Sequence, residues 1–146
     1  MIKWTFKTDG PSALWLVRLS VGTIFLSEGI QKFLFSEALG AGRFEKIGIP
    51  MPHLLGPLVG SVEILFGICL AIGFVTRFSA IPLLAVITTA IVTTKIPMLF
   101  DKGFWVMAHE ARTDYALFLC LIFLISVGAG PISADRFLKE KFEGRK

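Results

Sequence analysis

The chain has 146 residues, of which 54% are apolar and 18% charged, with a mean hydropathy of +0.73. Soluble domains carry roughly a quarter charged residues, so this balance points to lipid, and the length is that of a single domain. The net charge of +4 gathers toward the ends, which does not suggest a nucleic-acid partner.

Lys3 and Lys7 precede an apolar stretch, as in a cleaved leader, but Arg18 interrupts that stretch and no small-residue cleavage pattern precedes Glu28. It reads as a retained helix over about residues 12–35, started by Asp9-Gly10-Pro11-Ser12, with Trp4 and Trp15 at the membrane interface. Residues 37–48 form a glycine-containing connection with one short surface helix. Ile49-Pro50-Met51-Pro52 is extended and stops any helix. A second helix covers about 54–75 with one charge, Glu63, and a tight turn at 73–77 sets a third helix, about 77–94, antiparallel beside it. Pro82 lies in the first turns of that helix, where a missing N–H costs little. Lys95-Ile96-Pro97 ends it. Residues 98–111 are the longest polar connection and hold Trp105 and His109. A fourth helix runs over about 112–130, and a polar tail occupies 132–146.

Each of the four stretches suits the roughly 20 residues that a bilayer crossing needs. The expected fold is therefore all-α: an integral membrane four-helix bundle, up-down-up-down, in one domain over 1–146. For four crossings, Lys and Arg number eight on the side of both termini (Lys3, Lys7, Arg77, Arg136, Lys139, Lys141, Arg145, Lys146) and five on the other (Arg43, Lys46, Lys95, Lys102, Arg112). The positive-inside bias places both termini in the cytoplasm of a multi-pass plasma-membrane protein.

Ionisable groups inside a membrane are costly, on the order of 2.5–3.5 kcal/mol each on insertion scales, and usually face the protein interior. Arg18, Phe25, Glu28 and Lys32 share one helical stripe, and Glu28 can pair with Lys32 four residues on. Gly56, Gly60, Glu63 and Gly67 share a face whose small residues admit a close helix neighbour. With His109, Glu110, Arg112 and Asp114 at the outer start of the fourth helix, these groups converge on an outward-opening polar pocket. Structural readings stand beside the functional ones. Glu28 with Lys32 is also a helix-locking pair, and Glu63 a neutral hydrogen-bonded carboxyl. His109 and Trp105 are also interfacial residues, Arg112 with Asp114 a helix-end pair, and Arg18 a snorkelling side chain. Cys69 and Cys120 form no CxxC pair and read as small apolar residues. His53 and His109 belong to no ligand motif, so no metal or haem site is expected. There is also no phosphate loop and no nucleophile constellation.

The segments RLSVGTIFLSEGIQKF (18–33), GIPMP (48–52), VGSVEILFGICLAIGFVTRFSA (59–80), TTKIP (93–97), GFWVMAHEARTD (103–114) and GAGPISADRF (128–137) resemble the DoxX family of small bacterial and archaeal membrane proteins. The resemblance covers about residues 16–138, with Arg18, Glu28, Lys32, Glu63, Arg77 and Asp135 at matching positions. It implies a four-helix membrane protein. Some relatives are linked to quinone-dependent oxidation, as in the thiosulfate:quinone oxidoreductase subunit, and others to complexes concerned with oxidative and thiol stress. No fused redox domain is present here, which weakens a role in isolation.

The leading expectation is a membrane subunit of a quinone-linked oxidoreductase. Glu63 and His109 would move protons, and Glu28, Lys32, Arg112 and Trp105 would bind a quinone or a small anionic reductant. A non-catalytic scaffold subunit and a small-solute or ion pathway are the alternatives. The expected partners are the lipid bilayer, a soluble or membrane redox protein and further copies of the chain.

Overall fold

The computed structural model describes residues 10–143, so the readings that involve Lys3, Trp4, Lys7, Asp9, Arg145 and Lys146 lie outside the described residues. The described chain is helical throughout, without a strand. Helix α1 spans Leu14–Leu34. The short helices α2 (Ser36–Leu39) and α3 (Ala41–Lys46) connect it to α4, Pro52–Ile72. Helix α5 (Thr76–Ala90), a π turn (Ile91–Lys95) and α6 (Ile96–Lys102) follow one another without a break. Helix α7 covers Phe104–Val127 and α8 covers Ala134–Glu143.

Two of these helices are long and apolar enough to cross a bilayer: Pro52–Ile72 and the continuous run Thr76–Lys102. Helices α1 and α7 match them in length but carry more charge, with Arg18, Glu28 and Lys32 in one and Glu110, Arg112 and Asp114 in the other. Much of the outward surface of all four is apolar. Leu16, Leu19, Ile30, Leu54, Leu65, Ile72, Phe78, Ile81, Val92, Leu119 and Phe123 are exposed. Arg18, Glu63, Thr76, Arg77, Ser79 and Asp135 are buried. Apolar outside and polar inside inverts the usual arrangement in water and suits hydrocarbon.

Two sequence expectations are corrected. Lys95-Ile96-Pro97 does not end the third helix. A proline in a helix loses one hydrogen bond and crowds the carbonyl four residues back, here that of Thr93. The wider π turn over 91–95 contains that carbonyl and takes up the clash, so the helix continues to Lys102. Nor are residues 98–111 a polar loop. Gly103, at φ +83°, makes a single-residue corner, and α7 begins at Phe104 rather than near Arg112.

Helix α1 packs chiefly on α4, and α5 on α7, with α4 and α5 joining the two pairs. Glycines set the first contact. A Cβ on Gly22 would lie 2.6 Å from the Gly67 carbonyl oxygen and 2.8 Å from the Ala71 nitrogen. One on Gly29 would lie 2.7 Å from the Gly60 oxygen. The expected glycine face of the second helix is thus real, and it meets glycines of the first. Leu14, Val21, Phe25, Leu70, Leu83, Ile87, Leu117, Leu121 and Leu124 fill the remaining core.

Asp135 ties one end together. Gly73 closes α4 with a left-handed turn, its N–H reaching Leu70 O and that of Phe74 reaching Cys69 O. Val75 follows at φ +42°, a strained region for a β-branched residue. Its N–H donates to Asp135 Oδ1 at 2.6 Å, and the Thr76 N–H donates to Oδ2 at 3.0 Å. Asp135 returns its own N–H to Gly73 O at 2.9 Å. A carboxylate from the far end of the chain thereby caps α5. Burial raises the Asp135 carboxyl above the ordinary range, against the pull of those two amides and of the Arg18 charge. Arg18 does not snorkel: it is buried and donates to Ile132 O. Arg77 donates to Ser126 O and Val127 O at 3.0 and 3.2 Å, closing the end of α7.

Replacing Asp135 by Ala leaves the Val75 and Thr76 amides unpaired in a buried place, and should lower stability by about 1–3 kcal/mol. Thermal unfolding of purified protein in detergent reads this, and Asp135→Asn should recover part of the loss. Gly22→Leu should cost about 1–3 kcal/mol through overpacking, whereas Thr23→Leu, on the exposed face beside it, should leave the same melting curve nearly unchanged.

Candidate functional site

A cavity of about 530 Å³ opens where α1, α3, α4, α5, the π turn and α7 meet. Most of its wall is apolar, formed by Ile24, Phe25, Phe44, Val59, Val86, Ile87 and Leu117 among others. Its polar contribution comes from Glu28, Lys32, Arg43, Glu63, Thr89, Thr93, Thr94, Lys95, Thr113 and Asp114.

Lys32 stands at the centre of one wall. It sits three turns beyond Val21 on the buried side of α1, and the glycine contact brings that side against α4 at Glu63. The Lys32 Nζ lies 2.7 Å from Glu63 Oε2 and 3.9 Å from Glu28 Oε2. The Lys32 and Glu63 side chains are 11% and 4% exposed, against 51% for Glu28. The ammonium therefore bonds a buried carboxylate across the helix interface, and the i,i+4 partner is the looser one. Separately, neither ion would be tolerated in hydrocarbon; joined and beside a cavity, they can meet a polar ligand atom and relay a proton.

On another wall Lys95 Nζ lies 3.3 Å from Asp114 Oδ2, linking the π turn to α7. Thr89, Thr93 and Thr94 donate their hydroxyls back to Ala85, Thr89 and Ala90 carbonyls, so those oxygens remain acceptors toward the cavity.

Of the residues singled out from sequence, Glu28, Lys32, Glu63 and Asp114 line this cavity, and His109, Glu110, Arg112 and Trp105 do not. His109 and Arg112 bond each other, Nη1 to Nδ1 at 2.9 Å, on an exposed face of α7. Trp105 is 82% exposed and stacks edge-on against Phe104. The expected pairing of Arg112 with Asp114 is also corrected. Two residues apart on a helix means about 200° of rotation, so with Asp114 turned inward Arg112 faces out. Asp114 lies three residues before Leu117 on the buried stripe Leu117, Leu121, Leu124. That periodicity was the signal for it. Lys95 likewise continues the series Ile87, Ile91, but Pro97 disguised it as a helix stop. Among the described residues no group of three His, Cys, Asp or Glu side chains could hold a metal ion. Cys69 and Cys120 are both free thiols.

The DoxX family model matches residues 13–96. An uncharacterised membrane protein of Mycobacterium tuberculosis, Rv3486, is 47% identical over 139 residues, which is 91% of this chain and 85% of that protein. CatD of Bacillus subtilis, provisionally named an oxidoreductase, is 27% identical over 132 residues, covering 90% of this chain and 88% of CatD. No solved structure matches the chain. With more than half its length matched by the family model, and a close membrane relative over nearly all of it, the chain belongs to the DoxX family of membrane proteins.

Proposed function

We propose that the chain is the membrane subunit of a quinone-linked oxidoreductase and binds a quinone, or a small anionic reductant, in the cavity beside Lys32 and Glu63. The observation that carries this reading is a buried ammonium–carboxylate pair set in the wall of a largely apolar cavity. Ligand pockets run to roughly 300–1,000 Å³, apolar with a few placed polar groups, and this cavity has that size and character. A flat ring bearing carbonyl oxygens suits it: Ile24, Phe25, Val59 and Leu117 face the ring, and Lys32 faces an oxygen. Such a group, when bound, supplies a two-electron, two-proton acceptor. Lys32 offers positive charge and a proton to its oxygen. The Glu63 carboxylate would take up a proton from outside by way of the half-exposed Glu28 and pass it to Lys32, and a second passage along the same route would supply the second proton. The provisional name of CatD supports the same class of reaction. Electrons would come from the reductant or from a redox partner protein.

The frame for this site is a four-helix, up-down-up-down bundle in the plasma membrane, with both termini cytoplasmic. Helices of 21 residues span about 30 Å, a bilayer's hydrocarbon width. The Arg18–Asp135 end then faces the cytoplasm with the basic tail, and Lys32, about 21 Å further along α1, faces outward. A scaffold subunit is the second reading, favoured because each ion pair also bolts one helix to its neighbour.

Calorimetric titration of the purified protein in lipid nanodiscs with a short-chain 1,4-naphthoquinone separates these readings. Saturable binding should weaken about tenfold or more, the scale of one charged hydrogen bond, in the Lys32→Met/Glu63→Gln variant. His109→Ala and Arg112→Gln should bind as the unaltered chain does. Equal affinity in all of them, or no binding in any, favours the scaffold and ends the quinone reading.

A further inference from the structure

The cavity has a second ammonium–carboxylate pair that the proposed reaction does not use. Lys95 and Asp114 lie in its wall, 3.3 Å apart, with side chains only 13% and 23% exposed. They come from elements that contribute nothing to the first pair. Lys32 and Glu63 belong to α1 and α4, whereas Lys95 and Asp114 belong to the π turn and α7. Each of the two helix pairs that line the cavity thus supplies one cation held by a carboxylate from its neighbouring element, Lys32 having Glu28 as a looser second partner. The apolar side chains of Ile24, Phe25, Ile87 and Leu117 line the same space.

We infer that Lys95, held by Asp114, is a second binding and specificity-determining group, so that the site recognises a flat apolar body carrying an oxygen acceptor at each of two opposite ends. This rests on the cavity being the ligand site, as proposed above, and adds which ligands it selects. The reason is one of geometry and desolvation. A Lys ammonium has three donors, and neither Asp114 at Lys95 nor Glu63 with the more distant Glu28 at Lys32 uses them all, so each Lys keeps a donor for a ligand oxygen. In an apolar surround an oxygen lacking from the ligand leaves that donor unmet, and such an unmet donor discriminates more strongly than a missing methylene group does. The π turn belongs to this arrangement. It absorbs the crowding from Pro97, so the helix carrying Lys95 continues past the cavity instead of ending at it.

Two probes and two variants test this. The probes are 1,4-naphthoquinone, with two opposed oxygens, and 1-tetralone, which keeps one. The variants are Lys32→Met/Glu63→Leu and Lys95→Met/Asp114→Leu, each losing both charges so that no lone buried ion remains. Binding is read by calorimetry in nanodiscs, and a melting curve confirms that each variant is folded; Lys95→Gln with Asp114→Asn replaces the second variant if it is not. Each variant should weaken the two-oxygen probe about tenfold. The one-oxygen probe should be weakened by one variant alone. If the first variant loses the quinone and the second binds it as the unaltered chain does, the second contact is overturned while the cavity reading stands. If the unaltered chain binds neither probe, both fall together.

Discussion

Hydrocarbon cannot solvate an ion, and the arrangement of this protein follows from where its few ions find partners. The pairing of Lys32 with Glu63 at 2.7 Å is the central case. Each partner alone would carry the insertion penalty of an intramembrane charge. Joined, they still lose solvation, so a buried pair is weak evidence of added stability. What the pair does supply is register. It fixes how far α1 may slide or turn against α4, and therefore which residues face the cavity.

That register depends on the glycines below it. Gly22 meets Gly67, and Gly29 meets Gly60, with room for no Cβ between them. Only at so short an interhelical distance can a lysine on one helix reach a carboxylate on the next without crossing lipid. Glu63 lies between Gly60 and Gly67 on the same face, so the close approach and the ion pair are two consequences of one periodic pattern. The site and the packing cannot be altered independently there.

This explains which parts were legible from sequence. Intramembrane charges are few and must face inward, so Glu28, Lys32 and Glu63 could be grouped by cost alone, and the small-residue face of α4 by spacing. Asp114 was grouped with the outer polar residues but given the wrong partner, and Lys95 was not placed there at all. Proline usually stops a helix, and nothing local announces that a π turn will absorb it. The inward facing of Asp114 was hidden by an error of phase: once α7 is given its start at Phe104, the stripe Leu117, Leu121, Leu124 reaches back to it and turns Trp105, His109 and Arg112 outward. Asp135 could be placed in a matching motif but not given a job, since capping a helix that begins 59 residues earlier is a tertiary event.

The two polar centres at opposite ends also differ in kind. Around Asp135 both carboxylate oxygens are taken by backbone N–H groups, Arg18 is buried against Ile132 O, and Arg77 closes on the last turn of α7. Those contacts join chain segments that would otherwise leave helix ends unsatisfied in an apolar surround. Around Lys32 the carboxylates are fewer than the donors, the neighbouring wall is apolar, and a volume of about 530 Å³ lies beside the pair. At the Asp135 end Arg18 Nε and Nη1 make no hydrogen bond, yet they are enclosed by protein, and a charge enclosed in this way serves the fold. A charge with a donor to spare that also faces a space of ligand size is the one placed to act on something that enters, which is why we place the proposed chemistry at the Lys32 end.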